Sequence, residues 1–100
     1  MTVKLLMTWD ILPNLEQEYF EFVISDFMPE MKGLGISPVD IWYTLYGNQP
    51  QIMIIAKTQS QAALNVTMAS KEWQRLIENL LQFVGNFSYK VVSSQTGFQL

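Results

Sequence analysis

The chain is 100 residues long, carries a formal charge of −3 and is 49% apolar against 15% charged. That length makes one domain; an acidic chain with scattered lysines argues against a phosphate-neutralising nucleic-acid surface, and the absence of cysteine and histidine excludes disulfides, thiolate or imidazole metal sites, and serine–histidine or cysteine–histidine catalysis. The apolar excess never reaches the ~20 consecutive residues of a membrane span, so its expected outlet is a subunit interface, with neither nucleic acid nor membrane as partner.

Taken from the start, Val3, Leu5, Met7 and Trp9 alternate with Lys4, Leu6, Thr8 and Asp10. This predicts a strand with one wholly apolar face and one mixed face. Its apolar run is too short for a signal peptide, so a cytoplasmic location is expected. Pro13 and Asn14 then connect to a helical pattern over Asn14 to Met31, in which Leu15, Tyr19, Phe22, Val23, Phe27 and Met31 recur at three and four. Pro29 is expected to kink or end this helix near Met28. Asp26 projects on its apolar side, where a carboxylate is either bent out to water or held by a partner. Lys32, Gly33, Leu34 and Gly35 close the helix.

From Pro38 to Lys57 two runs rich in β-branched and aromatic residues flank Gly47-Asn48-Gln49-Pro50, a hairpin signal. Parity puts Ile41, Tyr43 and Leu45 with Ile52, Ile54 and Ala56 on a core face. It puts Asp40, Trp42, Thr44 and Tyr46 with Met53, Ile55 and Lys57 on a mixed one. Two helices in series follow: a weak, small-residue one over Gln61 to Ala69, and one capped by Ser70 in which Trp73, Leu76, Ile77, Leu80, Leu81 and Val84 fill one arc, ended by Gly85-Asn86. Phe87 to Val92 read as a last strand, and Ser93 to Leu100 as a polar tail. The β-α-β-β-α-β order predicts one α+β domain over 1–100. Its first and last strands should lie side by side in the centre of a four-stranded antiparallel sheet, with the helices on one face.

With Leu6-Met7-Thr8-Trp9 leading into a helix, the Phe27-Met28-Pro29-Glu30-Met31 helix end, the Ile41-Trp42-Tyr43 strand near Gly47 and Pro50, and Ser70-Lys71-Glu72-Trp73 opening the last helix, the chain resembles the dimeric α+β-barrel, ferredoxin-like superfamily. It looks most like its NIPSNAP-like and antibiotic-biosynthesis-monooxygenase-like members. The resemblance implies a homodimer that pairs its open sheet faces. Histidines used by haem-binding and stress-responsive branches have no counterpart here, and no metal or cofactor is expected.

The open face would carry Leu6, Trp42, Tyr46, Met53, Ile55 and Val92. Burying about 300 Å² of that apolar area would be worth about 7 kcal/mol before association entropy is counted. Trp9, Trp42, Thr44, Tyr46, Met53 and Lys57 are the candidate ligand-binding residues, an apolar lining with a few polar handles for a small apolar or aromatic molecule. The same aromatics serve equally as core and interface anchors. Asp26 and Asp40 are the candidate acid–base groups should the chain act as a cofactor-independent monooxygenase or isomerase on an activated aromatic or enol substrate, a reading open beside those of a binding protein and of a structural dimer without ligand.

Overall fold

A computed structural model of the chain describes residues 3–44 and 50–93. In order these form β1 (Val3–Ile11), α1 (Glu16–Phe22), a π-helical turn (Val23–Phe27), α2 (Met28–Gly33), β2 (Ser37–Tyr43), β3 (Ile52–Thr58), α3 (Gln61–Met68), α4 (Lys71–Leu80) and β4 (Val84–Ser93). Leu45, Tyr46, the Gly47-Asn48-Gln49 turn and the tail beyond Ser93 lie outside the described residues.

Alternation in β1 is realised residue by residue: Val3, Leu5, Met7, Trp9 and Ile11 are buried, and the residues between them are half-buried. The strands form one antiparallel sheet in the order β2-β3-β1-β4. First and last strands are neighbours, as expected, but the central pair is β1 and β3, and β4 lies at an edge. Each strand–helix–strand crossover steps over one intervening strand, which leaves β2 and β4 outermost.

The first helical region departs from a regular α-helix for a reason written in its spacing. Tyr19, Val23, Phe27 and Met31, all buried, recur every four residues, and such a series drifts by about 40° per step around an α-helix. The π-helical turn absorbs that drift; in it the Met28 N–H donates to the Val23 carbonyl. Pro29 has no N–H to offer the carbonyl of Ser25, so a widened turn just ahead of it loses less than a regular one would. The helix therefore continues past Pro29 to Gly33 instead of ending near Met28. The widened turn also changes the phase, and Asp26, expected on the apolar side, is exposed. The chain then leaves the helix through two nested bonds, Ile36 N–H to Met31 O at 3.0 Å and Gly35 N–H to Lys32 O at 3.0 Å. Gly35 supplies the φ of +85° that this exit requires.

Ser60 and Ser70 cap α3 and α4, their hydroxyls accepting from Ala63 N–H at 3.0 Å and Trp73 N–H at 3.2 Å. Trp73, Leu76 and Leu80 turn inward, but α4 stops at Leu80. Val84, expected on the helix, opens β4, and Gly85-Asn86 form a bulge instead of a helix end. Between the pairs Thr8↔Ser88 and Asp10↔Gly85 the register shifts by one residue, and Asn86 there has φ 56°. A helix exit and a bulge both call for a left-handed residue, so the local signal was shared.

Parity in the hairpin is as expected, with Trp42 opposite Met53 and Ile41 opposite Ile54. Burial is not. Ile41 and Tyr43, placed on the core face by the sequence, are 51% and 47% exposed, because β2 is an edge strand, flanked on one side only. The interior centres on Trp9, whose ring meets Phe27 edge-on at 5.8 Å and stacks with Phe87 at 6.0 Å. Phe27 is wholly buried there; Phe27→Ala should therefore destabilise the chain by about 3–5 kcal/mol, read as a lower midpoint in urea with little change in slope.

Candidate functional site

Helices cover one side of the sheet and leave the other bare. Across the bare side the register sets Ser37, Lys57, Lys4 and Val92 in one row, Asp40, Ile55, Leu6 and Lys90 in the next, and Trp42, Met53, Thr8 and Ser88 in a third. The middle of this grid is apolar. Ile55 is only 8% exposed, closed in by its neighbours, and Leu6 and Met53 are half-buried, whereas Trp42 at the edge is 55% exposed. A shallow cavity of about 240 Å³ opens among Leu6, Thr8, Met53, Ser88, Tyr89 and Lys90. Larger hollows lie elsewhere, about 340 Å³ under α3 and about 360 Å³ between α4 and β4.

The far end of this face is tied by a polar clamp. Asp10 accepts from Gln51 N–H at 2.8 Å through one carboxylate oxygen and from Asn86 Nδ2 at 2.8 Å through the other. Gln51 returns its own side chain, Oε1 accepting from Ile11 N–H at 2.8 Å and Nε2 donating to Tyr43 Oη at 3.3 Å. β1, β2 and β4 are thereby tied at one level to Gln51, the residue that leads into β3. The Asn86 amide and the Gln51 N–H hold the Asp10 carboxyl below its ordinary value, against a smaller opposing effect of burial. Both oxygens are engaged, so Asp10 fixes register.

The candidate residues divide between the two layers. Trp42 and Met53 are direct cross-strand neighbours on the bare face, and Lys57 stands on the same face nearer the other end of β3, exposed. Thr44 is half-buried just past β2, its N–H donating to Gln51 O at 2.8 Å. Tyr46 lies outside the described residues. Trp9 is on the opposite side: wholly buried under the helices, its indole N–H donates to Tyr19 Oη at 2.9 Å, so it and Trp42 do not border one cavity. Burial pushes the Tyr19 phenol up to about 12, against the smaller pull of the indole N–H, with Tyr43 adding to the rise. Asp40 sits exposed on the bare face, Oδ1 accepting from Ile41 N–H at 3.0 Å, and Asp26 is exposed in the helix layer. The two carboxylates do not share a site.

Sequence reasoning passed over Gln51, whereas Thr8, Ser88 and Lys90 fall by alternation on the mixed face as polar handles, where the structure also has them. No local signal marks Gln51, which acts across 41 positions.

No protein-family model matches the sequence, and no curated protein does. The structure, by contrast, superposes on several solved ones. A NIPSNAP family protein of Agrobacterium tumefaciens is similar with a TM-score of 0.73 over 99% of this chain and 100% of that one, at 12% identity. A DABB family protein with a ferredoxin-like fold from Mesorhizobium loti gives 0.75 over 95% and 98%, at 7% identity. An ethyl tert-butyl ether D (EthD) family protein of Bacillus halodurans gives 0.71 over 95% and 100%, at 15% identity. The chain thus has the ferredoxin-like fold of NIPSNAP-like proteins, and at such identities the fold is what is shared.

The two buried or clamped groups set opposite ends of the pH range. Tyr19 is held protonated in the fold, so its contribution is whole below pH 10 and is lost as pH rises towards about 12; one tyrosine should ionise late in an absorbance titration, and Tyr19→Phe should remove that late step while lowering stability at neutral pH by about 1–3 kcal/mol through the unpaired indole N–H. Asp10 has the reverse sign. Its contribution is present above 3.8 and fades as pH falls through the lower folded value, so the melting temperature of Asp10→Asn should lie below that of the wild type at pH 7 and the gap should close on acidification.

Proposed function

We propose that the chain works as a homodimer paired through the bare sheet face, the pairing enclosing a cavity for a small apolar or aromatic molecule. The observation that carries this reading is the composition of that face: Leu6, Met53 and Ile55 form an apolar centre on the side no helix covers, and Trp42 beside it is more than half exposed. Apolar surface of that extent is stabilised by a partner, and a sheet face with hydroxyls and amines at its margin suits a ligand with one wet end. The likeness in fold to NIPSNAP-like proteins agrees with this reading. A proton-transferring role for Asp26 or Asp40 draws no support from the geometry, since both carboxylates are exposed and they belong to different layers.

Static light scattering at micromolar concentration tests the pairing. The wild type should weigh twice 11.6 kDa, and Met53→Lys, which puts a charge at the centre of the face, should halve the mass while leaving the far-UV circular dichroism unchanged. A wild type of 11.6 kDa would refute it.

A further inference from the structure

The bare face is basic in a chain that is acidic. Of the six lysines and arginines, Lys4, Lys57 and Lys90 all stand on it, although the whole chain carries −3. Lys4 and Lys57 are direct cross-strand partners, an arrangement of like charges that destabilises a sheet. Lys90 lies beside Leu6 in the next row and lines the 240 Å³ cavity. The counter-charges on the same face are Asp10, at its far end with both oxygens bonded to the neutral Gln51 and Asn86 amides, and Asp40, bonded to its own neighbour's N–H; among the described residues three lysines against two carboxylates leave the face one positive charge in excess. A sequence that sets three ammonium groups around an apolar centre, two of them in mutual repulsion, is complementary to an anion with a hydrocarbon body.

We infer that the ligand of the bare face is a small amphipathic carboxylate, its apolar part laid over Leu6, Met53 and Ile55 and its carboxylate turned towards Lys90, within the field of Lys4 and Lys57. Thr8 and Ser88, opposite one another in the register and both lining the cavity, add hydroxyl donors. Lysines and hydroxyls suit a carboxylate; the bidentate forks and clustered backbone N–H groups that favour phosphate belong to arginine and to helix ends, and here Arg75 is on α4, in the layer across the sheet. This rests on the cavity assigned above but names the chemistry of its occupant, and each single chain already holds the residues it uses.

Calorimetric titration of the full-length protein with octanoate, octan-1-ol and octylamine decides it. Octanoate should bind about tenfold more tightly than the alcohol, the scale set by two partly exposed charge contacts, and the amine more weakly than either. In the double variant Lys57→Gln/Lys90→Gln the preference for octanoate over the alcohol should vanish while alcohol binding persists; glutamine stays long and polar and leaves the apolar centre of Leu6, Met53 and Ile55 intact, so the mass in light scattering should stay that of the wild type. Equal affinities for acid and alcohol, a preference that survives the double variant, or a variant that loses the alcohol as well would each overturn the assignment. A monomeric wild type that still prefers octanoate would refute the pairing and leave the carboxylate site standing.

Discussion

The structure depends on a constraint as simple as the pleat of β1. Every second residue from Val3 to Ile11 is apolar and buried, and because β1 is one of the two central strands its inward side chains meet the helices along the whole length of the sheet. A shift of one residue would turn Trp9 and Met7 to the bare side and carry Lys4 and Thr8 into the core. The strand therefore has one register open to it. The helix layer follows from it, since Tyr19, Phe27 and Phe87 gather on the Trp9 ring.

What β1 sets by hydrophobicity, the Asp10 clamp sets by hydrogen bonding. Its carboxylate reaches Gln51 just ahead of β3 and Asn86 in the β4 bulge, so the strand on either side of β1 is held at the same level. The bulge is part of that design: the left-handed Asn86 presents its amide to Asp10 at the cost of one unpaired position in the ladder. On the other side of the sheet the Trp9–Tyr19 bond gives two polar atoms of the core each other as partners, and among the described residues no buried side-chain polar atom lacks one. Both contacts tie strand to neighbour or sheet to helix without spending the bare face.

That face consequently keeps its own chemistry. Alternation along β1 and β3 sends the side chains that the core does not use to it, and there the chain places a greasy centre, three lysines and paired hydroxyls. Electrostatics and hydrophobicity point the same way: an uncovered apolar centre favours the pairing proposed above, and lysines set opposite one another favour the anionic ligand inferred from them. The fold alone supports many activities; it is the set of side chains on this one surface that narrows what the molecule does.

Alternation, helical spacing and turn residues were legible without coordinates, because each depends on neighbours a few positions apart. They define β1, the hairpin with Trp42 and Met53 on one face, the serine cap of α4, the Gly35 exit, and a sheet covered on one side. Tertiary structure decided the rest, where the determining contact is distant in sequence. It put β3 and not β4 beside β1 at the centre, and left Ile41 and Tyr43 about half exposed on an edge strand. It widened a helical turn ahead of Pro29 and so sent Asp26 to solvent, made a bulge of Gly85-Asn86, and took Trp9 away from Trp42. The Lys4–Lys57 pair belongs to this second kind: two residues 53 positions apart are scattered charges in a sequence and become one basic row only when antiparallel pairing sets them side by side.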